Sequence, residues 1–187
     1  MSDDTVTPAP AADQPDTAGA GLFGRTLAWA RGRAWIATTE DDEDGRAGQA
    51  LLEVPEEHPA RAMWPTAIDL PIVLFVPDDG QRVAVYSLIL DGIEAADRAG
   101  VAELAARANR GLLGGAFEID LDEGDLRFRS DLDLGAAELD DEQLAAVLTP
   151  LLEVNLETVE VYSDAIVSVL TGRSAPAEAV EAAESSE

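Results

Sequence analysis

Cysteine and lysine are both absent from the 187 residues, there is one histidine, and aromatic residues make up only 5%. Without cysteine there can be no disulfide, no thiolate zinc site and no thiol nucleophile. No apolar run approaches the roughly 18 residues needed to cross a bilayer. His58 stands alone, with no serine nucleophile motif and no matching carboxylate motif, and reads as a loop residue. P-loop, GxSxG, HExxH and Rossmann fingerprints are all missing. These absences argue against an enzyme and predict no cofactor and no metal site. With 38 acidic residues, chance carboxylate pairs are plentiful. A small enzyme or ligand-binding protein using acidic residues in a cleft is therefore the alternative reading. The first residues, MSDDTVTPAPAADQPD, lack the basic and apolar regions of a signal peptide, so a cytoplasmic location is expected.

Acid is what the chain has in excess. The formal net charge is -26, and all twelve basic residues are arginine. Such a chain repels itself in dilute buffer, and added salt relieves the repulsion because the Debye length falls to about 3 Å at 1 M. A high-GC genome would account for the missing lysine. An organism with molar internal salt accounts better for so many carboxylates, and a halophilic adaptation is the favoured reading. Nucleic acid is not an expected partner, since phosphate binding needs a basic surface.

Along the chain, residues 1–20 and 173–187 read as acidic disordered tails, with a transient helix allowed over Ala177–Ala183, and residues 21–172 as one domain. Leu22–Arg33 has the period of a short amphipathic helix. Its arginines, beside Trp29 and Trp35, could form a basic-aromatic patch but more simply meet nearby carboxylates. Strands are expected at Trp35–Thr39, Gln49–Val54, Ala67–Val76 and Arg82–Leu90, with Asp79-Gly80 as a type I′ hairpin turn. Glu40–Gly45 has a superficial likeness to a calcium loop. The twelfth position from Glu40 is Leu51, however, which cannot coordinate, so a solvated turn is expected. Strand Arg82–Leu90 is apolar on both faces, which places it centrally or against a helix or another subunit. Glu94–Leu112 is a helix with Val101, Leu104, Ala105 and Ala108 on one face. Asp140 and Gln143 form a capping box for a last helix carrying a long apolar stripe through Leu170, and Pro150 should kink or break it. Asn155 lies in that stripe, at the rim or hydrogen-bonded.

The clearest local signal is Asn109–Asp131. With Glu123-Gly124 as a two-residue turn, Leu121 would face Leu126, Ile119 would face Phe128, and Phe117 would face Ser130. Glu118 would then oppose Arg129 and Asp120 would oppose Arg127. One face is apolar and the other pairs opposite charges, as a half-buried ribbon requires. The elements run α-β-β-β-α-β-β-α, which makes an α+β fold with an antiparallel sheet of about five strands and helices packed on it.

The segment Val85–Leu170 resembles the YbjN family, whose domain is similar to the type III secretion chaperones. The likeness rests on Leu104-Ala105-Ala106-Arg107-Ala108-Asn109-Arg110-Gly111-Leu112-Leu113. It continues in Gly114-Gly115-Ala116-Phe117-Glu118-Ile119-Asp120, in Asp125-Leu126-Arg127-Phe128-Arg129, and in the long last helix. The resemblance implies a type III secretion chaperone-like sandwich, a protein-binding or regulatory role, and no enzymatic activity. Apart from it, the two-faced strand and the long apolar helix offer surplus apolar surface, which marks an interface unless helices of the same chain cover both faces. The expected function is a non-enzymatic protein-binding module with a protein partner or a second copy in a homodimer. The candidate interface is Tyr86, Leu88, Leu90, Leu148, Leu152, Val159, Tyr162 and Ile166.

Overall fold

Alternation of buried and half-buried residues builds the sheet. In the computed structural model, which describes residues 20–41 and 47–185, Ile72, Leu74 and Val76 are fully buried while Val73 and Phe75 are only partly so. These residues form β3 (Ile72–Val76). The same rule gives β1 (Ile36–Asp41), β2 (Gly48–Glu53) and β4 (Arg82–Leu90), and then β5 (Ala116–Ile119) and β6 (Leu126–Asp133). All pairings are antiparallel, in the order β1-β2-β3-β4-β6-β5. The expected α+β class is the one found, with six strands instead of about five.

Helices α1 (Leu22–Gly32), α3 (Arg98–Asn109) and α4 (Asp141–Leu170) pack on one face of this sheet. A short helix, α2 (Ala60–Met63), and a 3-10 turn (Ala67–Asp69) link β2 to β3. The core lies between sheet and helices, where Phe23, Leu104, Leu148 and Leu156 meet Leu74, Val85, Leu126 and Phe128. Asp140 caps α4 as its sequence predicts. Its Oδ1 accepts from the Gln143 N–H at 2.8 Å, and Gln143 Oε1 accepts from the Asp140 N–H at 3.0 Å.

Five expectations need correction. First, Ala67–Asp69 turns as 3-10 helix, so β3 begins only at Ile72, after Pro71 has ended the turn. Second, α4 runs unbroken through Pro150. The proline lies on the exposed side, and buried Leu148 and Leu152 pin the helix on either side of it. Third, Asp79-Gly80 is not a type I′ turn. Only Gly80 has positive φ (60°), its N–H donates to the Pro77 carbonyl, and Asp79 accepts from the Gln81 N–H. Fourth, the segment read as a C-terminal tail carries α5 (Pro176–Glu184), which packs on α3 and α4 and buries Ala179 and Val180. The expected N-terminal tail and most of the calcium-like loop lie outside the described residues.

The fifth correction concerns the hairpin. Glu118 faces Arg127, Phe117 faces Phe128 and Ile119 faces Leu126, two residues from the expected register. Because the shift is even, every side chain keeps its face. The loop is longer than two residues because Asp120 turns inward to accept the N–H groups of Asp122 and Glu123 at 2.8 and 3.0 Å. Leu121 is left 59% exposed instead of pairing with Leu126. The Arg98 guanidinium fastens the loop to the start of α3, donating to the carbonyls of Ile93, Leu121, Asp122 and Glu123. Gly124, at φ 92°, sits so close to Ile93 that a Cβ would come within 2.4 Å of its carbonyl oxygen.

Candidate protein-binding face

The eight predicted interface residues divide between two environments. Leu148, Leu152, Val159, Tyr162 and Ile166 are buried in the core, where the stripe of α4 lies against the sheet, α3 and α5. The apolar surplus read on that helix is consumed within the chain, and these five cannot contact a partner in this arrangement. Tyr86 and Leu88 stay on the sheet face that the helices leave uncovered, with Leu88 40% exposed, while a register shift after Leu88 sets Leu90 opposite Leu126, half-buried against the core.

Cross-strand pairing extends this open face beyond what the sequence singled out. Tyr86 faces Val73, Val73 faces Leu51, and Leu51 faces Thr38, one row across four strands. Ile36, at 60% exposure, stands opposite Glu53 in the row on one side, and Phe75 lies between Gln49 and Ala84 in the row on the other side. A cleft runs off one end of the face, lined by Leu70, Pro71, Leu88, Leu90, Ile119 and Arg127. Leu51, Val73, Phe75 and Ile36 went unread because their outward direction depends on the strand pairing of residues 36–76. The signal available in the sequence was the unbroken apolar run Ile72–Val76, which leaves no polar side for water.

Charge closes the face on the β5–β6 side. Glu118 accepts from Arg127 Nε at 2.8 Å and from Arg129 Nε at 2.7 Å, and Arg129 also contacts Asp131. Partial burial pushes the Glu118 carboxyl upward, but its hydrogen bonds to Arg129 and Arg127 outweigh this and hold it below the usual carboxylate range. The Arg127 guanidinium lies over the Tyr86 ring, 4.5 Å from its centroid. At the cleft rim Asp120 is likewise held low, by the N–H groups of Glu123 and then Asp122. Asp125 accepts from the Gly92 N–H. These are structural acids, and the two shifts run opposite to that of a general acid working near neutral pH.

Elsewhere the polar groups hold the fold together. Asn155 is fully buried under the sheet. Its Nδ2 donates to the Val85 carbonyl at 3.1 Å and to Ser130 Oγ at 3.2 Å, and its Oδ1 accepts from Ser87 Oγ at 2.6 Å. His58 Nδ1 accepts from the Ala60 N–H, with its ring edge-on to Trp35. Arg25 bonds Asp141 and the Leu139 carbonyl, as expected of arginines in an acidic chain. Among the described residues no cluster of three or more His, Asp or Glu could hold a metal ion, and no helix is long and apolar enough to cross a membrane.

Residues 69–155 match the family model YbjN, described as "Putative bacterial sensory transduction regulator". Among solved structures the chain is similar to an uncharacterized protein from Methanothermobacter thermautotrophicus, with 11% identity and a TM-score of 0.47 over 81% of this chain and 98% of that one. It is also similar to YbjN from E. coli, "a putative transcription regulator", with 11% identity and a TM-score of 0.46 over 73% and 87%. The HopA1-SchA chaperone–effector complex matches with 15% identity and a TM-score of 0.38 over 71% and 89%. No curated protein matches. The family match runs from the last residue of the 3-10 turn to the middle of α4.

Proposed function

We propose that this chain is a non-enzymatic protein-binding module, regulatory or chaperone-like, that receives its partner on the open sheet face and works in a salt-rich cytoplasm. One observation carries the reading. A six-stranded sheet is covered by helices on one side only, and the other side carries Ile36, Leu51, Val73, Phe75, Tyr86 and Leu88 on neighbouring rows, with Thr38, Gln49 and Glu53 among them. Apolar rows rimmed by charge are what a docking surface looks like. A second copy is the alternative occupant of the same face, and two chains of charge -26 would meet there only at high ionic strength.

The test is a Leu51→Glu/Leu88→Glu variant. Both side chains are more than a third exposed, so the fold tolerates the change while the face is spoiled. In affinity capture from its own cell lysate at about 3 M KCl, partners of the unaltered chain should be lost or weakened about tenfold per central contact. Capture of the same partners at the same strength by the variant would overturn the assignment. Light scattering on both forms separates a heterologous partner from a homodimer.

A further inference from the structure

Strand β5 stands at one edge of the sheet, and its hydrogen-bond parity identifies which groups look outward. The Asp120 N–H donates to the Asp125 carbonyl at 2.9 Å, so residue 120 turns its polar backbone toward β6. Alternation then makes 118/127 a bonded pair and turns the N–H and C=O of Phe117 and Ile119 away from β6. An edge carrying such groups is a template for another strand.

At Phe117 that template is already filled. The Phe117 N–H donates to Asn109 Oδ1 at 2.8 Å, and Asn109 Nδ2 donates to the Phe117 carbonyl at 2.9 Å. One side-chain amide thus supplies the acceptor and the donor that a residue of a seventh strand would bring. It reaches the edge from the last residue of α3, which packs beside β5. Gly115, at φ 81°, bends the chain just before the strand, and the Asp120 turn ends it. Among the described residues, Ile119 is left as the one position of β5 with an outward pair and no protein partner.

We propose that Asn109 is an edge plug that keeps β5 from pairing with β5 of a second copy. In the antiparallel pairing available to two such edges, Phe117 of each copy bonds Ile119 of the other, and the two Glu118 side chains lie directly opposite. Each Glu118 is already held by Arg127 and Arg129 of its own chain, so its charge is compensated and guarding the edge falls to the amide. This inference does not rest on the open face, because it concerns backbone groups at the rim of the sheet.

Hydrogen exchange on the unaltered chain is the first test. The Phe117 amide should exchange at least about tenfold more slowly than the Ile119 amide, although both point outward from one strand. Equal rates would overturn the plug. The second test is self-association of Asn109→Ala at about 3 M KCl, read by sedimentation and compared with the unaltered chain. A concentration-dependent dimer is expected, and adding Ile119→Pro should abolish it, since that proline removes an outward donor and no ladder bond. Leu51→Glu/Leu88→Glu should leave that dimer intact, which separates it from association through the open face. If Asn109→Ala has the circular dichroism of the native fold yet associates no more than the unaltered chain, the proposal fails. Should Asn109→Ala not fold, the near-isosteric Asn109→Leu takes its place. It fills the same space with neither acceptor nor donor for Phe117, and the same dimer supports the plug while an unchanged state overturns it.

Discussion

Asn155 is the residue on which the two halves of the core agree. It sits in the apolar stripe of α4 yet reaches β4 through Ser87 and the Val85 carbonyl, and β6 through Ser130. Such a satisfied network fixes one rotation of the helix over the sheet, because any other leaves buried polar groups without partners. Replacement by Ala should destabilise the fold by about 2–4 kcal/mol, from stranded hydroxyls and lost packing together. Urea unfolding at constant salt measures this. A loss below about 0.5 kcal/mol would mean that the network is idle. Adding Ser87→Ala and Ser130→Ala to Asn155→Leu should recover much of the loss, since with both hydroxyls gone what remains is a lost side-chain donor at backbone carbonyls, chiefly that of Val85. The sequence showed that Asn155 was out of place in its stripe. It could not show the partners, which lie 68 and 25 residues away.

At the scale of the element, the β5–β6 hairpin separates what is local from what is not. Its existence, its two faces and the meeting of Glu118 with Arg129 are written in the alternation of residues 116–131, whereas Arg127, expected opposite Asp120, goes to Glu118 instead. Its turn is not, because the turn belongs to two segments at once. Arg98, more than twenty residues earlier, holds three of the loop carbonyls, and Gly124 fits under Ile93. Removing the clamp with Arg98→Ala should cost about 1–3 kcal/mol and speed hydrogen exchange at Asp122 and Glu123. Arg98→Lys should recover only part, since a lysine cannot reproduce the planar fork. Unchanged exchange in Arg98→Ala would show that Asp120 alone holds the turn. Helix α5 was harder still to read. Its docking side is Ala179 and Val180, too small a stripe to stand out in an Ala- and Glu-rich segment, and only the α3–α4 surface gives it a place.

For the whole molecule, the class of fold was legible because each strand and helix carries its own period. The sidedness of the sheet was not, because it depends on where α4 comes to rest. Helix α4 read as an exposed interface and proves to be the floor of the core. Charge acts at this scale too. With a net -26 on the chain, folding concentrates like charge, and the penalty is screened by salt. Circular dichroism melts should therefore show a higher midpoint at about 3 M than at about 50 mM KCl, and equal midpoints would remove the case for salt adaptation. The position of α4 also bears on how the chain is made. Strand β4 is complete at Leu90, but α4 ends only at Leu170. At about 5–20 residues per second, a ribosome needs roughly 4–16 s to cover that interval. Throughout it the nascent sheet lacks the helix that packs on β4, and a transcript truncated after β6 would release a chain with Val85 and Phe128 missing that cover. Helix α4 is thus a late-arriving cover, and the growing polypeptide has to be kept from its neighbours until translation delivers it.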